Sequence, residues 1–122
     1  MSIKQILIVD DELLLLELLS EMLDEYICFT ASHLEQVDDI LNNEDIDAIL
    51  CDVTMPGGGG IELFRKLEDT KSQLIRRLIF ITGGSTNRYS QDFLQNIELP
   101  VIYKPFREKD IIAAFSELED LD

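Results

Sequence analysis

Basic residues are scarce in this 122-residue chain: 10 Lys and Arg stand against 25 Asp and Glu, for a formal net charge of −15. That deficit argues against direct nucleic-acid binding, which needs a cationic footprint. It fits an acidic, solvated surface able to meet basic patches on partner proteins. Cysteine is limited to Cys28 and Cys51, each inside an apolar run, where a small buried hydrophobe is the expected role. The single histidine, His33, opens a surface helix and has no catalytic set around it. No apolar run approaches the about 20 residues needed to cross a bilayer, and no signal-peptide pattern opens the chain. A cytoplasmic location without membrane contact is therefore expected. Linkers, low-complexity tracts and internal repeats are missing too, so residues 1–122 read as a single domain.

What the chain does have is apolar residues, 46% of the total, in a strict alternation of patterns. Short, nearly continuous apolar runs at 3–9, 26–30, 46–51, 78–81 and 100–103 read as strands. Helical spacing follows each one. Leu15, Leu18, Leu19, Met22 and Leu23 form the first apolar helix face, and Leu34, Val37 and Leu41 the second, in a helix over 33–42. Ile61, Leu63, Phe64 and Leu67 carry a third helix ending near 70–72. Phe93 and Leu94 carry a fourth over 86–96, and Ile111, Phe115 and Leu118 a fifth over 110–118. Strands of this kind need cover on both faces. With right-handed crossovers they give an α/β fold, a doubly wound five-stranded parallel sheet with five helices on both faces. In the flavodoxin-like strand order 2-1-3-4-5, Cys28 and Cys51 lie on strands that flank the first one, too far apart for a disulfide.

Ligands of such sheets bind off the carboxyl ends of the strands. Asp10 and Asp11 end the first strand, Asp52 the third, Thr82 the fourth and Lys104 the fifth. Three acids held together repel, and a hard divalent cation relieves them. Mg²⁺ is the expected cofactor, with Asp11 and Asp52 as direct ligands, Asp10 acting through a water, and the Thr54 carbonyl completing the protein's share. A cation, a carboxylate and a lysine at one rim make a phosphoryl-transfer site. Asp52 is then the nucleophile, Lys104 neutralises one phosphoryl oxygen and Thr82 donates to another. The glycine run 57–60 allows unusual backbone angles beside Asp52, but the GxxxxGK[ST] phosphate-binding pattern is absent.

These residues resemble a known family. ILIVDDE at 6–12, DVTMPGGGG at 52–60, FITGG at 80–84 and YKPF at 103–106, in that order, are similar to the motifs of response-regulator receiver domains, single-domain chemotaxis regulators included. The resemblance implies a two-component phosphorelay switch that accepts a phosphoryl group on Asp52 from a phosphohistidine. The partner would be a sensor histidine kinase or a phosphotransfer protein. It implies metal binding through Asp10, Asp11, Asp52 and Thr54, with Thr82 and Lys104 as the switch hydroxyl and the lysine. A signalling domain rather than an enzyme is expected, with any kinase activity lying outside this chain. One departure stands out: the family often carries an aromatic residue three positions before the lysine, and Val101 stands there instead. Tyr103 falls on the same strand face, nearer the metal end. TGG, QDFLQN and KPF also resemble receivers appended to hybrid histidine kinases, so both a free-standing regulator and a domain of a larger kinase fit. A weak homodimer through the fourth and fifth helices is compatible with the chain. Two rival functions remain: a receiver fold serving only as a binding scaffold, and an aspartyl-phosphate phosphohydrolase, whose Asp-x-Asp pattern neither 10–12 nor 52–54 provides.

Overall fold

The computed structural model describes residues 2–83 and 87–120. Five strands alternate with five helices: β1 Gln5–Val9, α1 Leu13–Met22, β2 Ile27–Ala31, α2 Leu34–Asn43, β3 Ala48–Asp52, α3 Gly60–Asp69, β4 Leu78–Thr82, α4 Arg88–Asn96, β5 Val101–Tyr103 and α5 Glu108–Glu119. The strands form one sheet of order β2-β1-β3-β4-β5, every neighbouring pair parallel. This is the doubly wound architecture the alternation predicts. Predicted positions Thr86 and Gly84 lie outside the described residues.

The sheet separates two apolar layers. Ile6, Ile8, Leu50, Ile79, Ile81 and Ile102 face α1 and α5. Leu7, Val9, Ile49, Cys51, Leu78 and Phe80 face the side of α2, α3 and α4. Residues of the central strands β1, β3 and β4 are almost wholly buried, as covered faces require. Edge strand β2 is half open, and Ile27 is exposed. On the second face, Phe93 of α4 sits edge-on to Phe80 of β4 and Phe64 of α3, with ring centroids 5.7 Å and 5.3 Å away. Arg65 lies over the Phe93 ring.

Three expectations need correction. Leu16, not Leu18, faces the core from α1: Leu16 and Leu19 are buried, whereas Leu18 is 51% exposed. A 3₁₀ turn at Gln73–Arg77 bridges α3 and β4 where only a helix end was expected. Helix α5 begins at Glu108, two residues early, because the Asp110 carboxylate accepts from the Arg107 N–H and caps an earlier turn. The cysteines are free, and β2 and β3 flank β1 as anticipated. His33 is exposed and precedes α2 as its N-cap residue without a capping hydrogen bond.

Candidate functional site at the carboxyl edge of the sheet

Strand register sets the rim. Val9 pairs with Cys51 across β1 and β3, so the next residues, Asp10 and Asp52, leave the sheet at the same level. Both follow residues of the α1/α5 layer by the two-residue alternation, Ile8 and Leu50. On the other side, the Val53 N–H donates to the Ile81 carbonyl (2.8 Å) and the Lys104 N–H to the Thr82 carbonyl (2.8 Å), fastening β3, β4 and β5 at their tips. Thr82 is buried at the end of β4. The Lys104–Pro105 peptide is cis.

Two positions of the loop after Asp52 call for glycine, 57 by its backbone angle and 59 by lack of space. Gly57 adopts φ +80°, in the left-handed region. A Cβ on Gly59 would collide with the Val53 carbonyl, so the chain passes too close to its own strand for any other residue. The Gly59 N–H donates to Glu62 Oε1 at 2.7 Å, which anchors the first turn of α3.

Carboxylate oxygens of Asp10, Asp11 and Asp52 lie within 4.8 Å of one another. Asp10 and Asp52 are buried and Asp11 is exposed. Each buried acid spends one oxygen locally: Asp10 Oδ1 accepts from the Glu12 N–H (2.8 Å), and Asp52 Oδ1 from the Thr54 N–H (3.2 Å). Their second oxygens point at Lys104, whose Nζ is 3.5 Å from Asp10 Oδ2 and 3.6 Å from Asp52 Oδ2. Burial, reinforced by the Asp52 charge and opposed by the Glu12 N–H and Lys104, raises the Asp10 pKa to about 6. Burial also raises that of Asp52, against the Thr54 N–H and Lys104. Burial works against the Lys104 charge, but Asp52, Asp10 and Glu12 outweigh it, and the pKa stands above the ordinary value.

A divalent cation suits this donor set. Oxygen ligands from three carboxylates converge, and Asp10 Oδ2 is buried with no hydrogen-bond partner. Asp10, Asp11, Asp52 and Lys104 are thus brought together. Thr82 is tied to Lys104 through the backbone, and Thr54 to Asp52 through its N–H. One participant was missed: Glu12, whose Oε1 lies 3.5 Å from Lys104 Nζ. The only sequence signal for it was its place as third acid of the run 10–12. Tyr103 is 60% exposed, and Val101 packs against the α2–α4 layer.

A model of the response regulator receiver domain matches residues 6–116. The chain belongs to that family. As a receiver domain it is 32% identical over 117 residues to the phosphate regulon transcriptional regulatory protein PhoB of Pseudomonas aeruginosa, a match spanning 90% of this chain and 49% of that protein. The chain thus spans about half the length of this curated relative. Among solved structures it is similar to the signal receiver domain of a signal transduction histidine kinase from Syntrophus aciditrophicus, with 26% identity, a TM-score of 0.81, and 96% and 90% of the two chains covered. The fold is also that of the Vibrio cholerae chemotaxis protein CheY4, with 20% identity, a TM-score of 0.79, and 96% and 99% covered. The receiver fold is that of a two-component signalling domain rather than of a classical enzyme.

Proposed function

We propose that this receiver accepts a phosphoryl group on Asp52 from a phosphohistidine of a sensor kinase or phosphotransfer protein, in a Mg²⁺-dependent reaction, and acts as a signalling switch. The observation that carries this reading is the convergence of Asp10, Asp11, Asp52 and Lys104 at one rim. In the transfer, Asp52 Oδ2 attacks phosphorus, the phosphorus–nitrogen bond to the donor imidazole breaks, and the imidazole leaves with its electron pair and takes up a proton. Asp52 Oδ1 stays held by the Thr54 N–H, which aims the other oxygen outward. Lys104 compensates charge on a phosphoryl oxygen, and the Thr82 hydroxyl donates to another. Asp10, Asp11, Asp52 and the Thr54 carbonyl would hold Mg²⁺, which when bound offsets the negative charge of acids and phosphoryl group.

Beside this rim, Leu13 and Leu14 of α1 are 67% and 81% exposed. An apolar surface next to the reacting group supports docking of a protein donor. Incubation with acetyl phosphate and Mg²⁺, read by intact mass, tests the assignment: one added phosphoryl group is expected, dependent on Asp52 and on Mg²⁺. An unlabelled, folded protein would favour the binding-scaffold reading instead.

A further inference from the structure

Lys104 has three acidic neighbours, and they are not equivalent. Its Nζ is 3.5 Å from Asp10 Oδ2, 3.5 Å from Glu12 Oε1 and 3.6 Å from Asp52 Oδ2. Of the three contacts only that to Glu12 is a hydrogen bond; Asp10 Oδ2 has no hydrogen-bond partner, and Asp10 and Asp52 face the ammonium as ion pairs. The Asp10 and Asp52 side chains are 1% and 9% exposed, whereas that of Glu12 is 65% exposed. Glu12 lies outside the three-carboxylate cluster suited to a cation.

A phosphoryl group arriving on Asp52 needs one of the Lys104 donors. On phosphorylation Asp52 Oδ2 becomes the bridging oxygen and its charge passes to the phosphoryl group, whereas releasing Asp10 would leave a buried carboxylate without this counter-charge, a costly outcome. Releasing Glu12 costs little, because water re-solvates an exposed carboxylate. Glu12 is therefore the partner that can be exchanged. It also adds a fourth negative charge at the mouth of the site, facing any anionic donor.

Building on the phospho-acceptor reading above, we infer that Glu12 is a positioning residue that occupies the outward donor of Lys104 in the resting state and gives it up to the phosphoryl group. Glu12 then opposes phosphorylation in two ways: it stabilises the resting arrangement and it repels the donor. A purely structural role for Glu12 is served by its backbone alone. Its carbonyl accepts from Leu15 and Leu16 to start α1, and its side chain makes no capping hydrogen bond. Glu12→Gln keeps that backbone and the side-chain shape.

The test compares Glu12→Gln with the parent chain, using acetyl phosphate and Mg²⁺ at low and high salt, with the Lys104 ammonium followed by ¹⁵N NMR in the metal-free protein. The variant should be labelled roughly two- to fivefold faster at subsaturating donor, the range expected for one partly exposed ion pair. The gap should narrow at high salt, where charges at the mouth are screened. The Lys104 ammonium signal should move on substitution before any donor is added. Equal or slower labelling of the variant, or an unmoved ammonium signal, overturns the exchange while leaving the acceptor assignment standing. A parent chain that takes no label overturns both.

Discussion

Asp52 is a buried carboxylate made costly to charge. It ends a strand buried on both faces, sits beside Asp10, and has Lys104 as its counter-charge. Asp52→Asn keeps the side-chain oxygen that the Thr54 N–H needs and removes one of the repelling charges. Labelling should be abolished, and the melting temperature without metal should not fall below that of the parent. Retained label at similar yield would assign the acceptor to another residue. At this scale the sequence was informative about acids that end strands, because Asp10 and Asp11 after one buried run and Asp52 after another meet at one edge, which a loop or a helix cap at either place would not explain. It was uninformative about Glu12. Exposed glutamates are the commonest surface residue type in so acidic a chain, and only the 3.5 Å approach to Lys104 separates this one from the rest.

Among the elements, the loop between β3 and α3 depends most on residue identity. Gly59→Ala should destabilise the fold by about 1–3 kcal/mol, the usual cost of overpacking against a backbone that cannot retreat. Chemical denaturation measures it, and an unchanged midpoint would mean the loop relaxes freely. Helix α1 illustrates the opposite case. LLLLELL is apolar on most sides, so spacing alone could not tell Leu16 from Leu18 as the inward residue, and packing on α5 and the sheet decided it. The outward leucines belong to an element next to the rim. Leu14→Glu should slow phosphotransfer from a cognate kinase at least tenfold, within the range of a lost interface anchor, and leave labelling by acetyl phosphate unchanged. Equal loss with both donors would place the defect in the site rather than in docking. The 3₁₀ turn at Gln73–Arg77 escaped the sequence reading because five residues are too few for a period to show.

For the molecule as a whole, the acids of the rim set the response to pH and to metal. Asp10 has an ordinary pKa of 3.8 and about 6 when folded. Between those values the folded chain keeps a proton that the unfolded chain has released, so metal-free stability falls as pH rises through that window and stays low above it. Mg²⁺ binds the deprotonated, folded form and should restore what is lost. Scanning fluorimetry should show a rise of a few degrees with millimolar Mg²⁺ near about pH 7.5, and a smaller one near about pH 5, where Asp10 keeps its proton. The reverse order would count against a cation at these acids. The doubly wound sheet was legible in the alternation of short apolar runs and helical spacing, while its strand order followed from the receiver-domain resemblance rather than from the pattern.

The three phenylalanines behind the rim have a mechanical consequence. Phe80 lies two residues upstream of Thr82 and touches both the helix that follows β4 and, through Gly60, the first turn after the Asp52 loop, where an added methyl would strike the ring. Interlocked rings do not shear past one another cheaply. Any tug on the tip of β4 is thus borne jointly by α3 and α4, and the absence of an aromatic side chain at Val101 does not leave that tip unconnected.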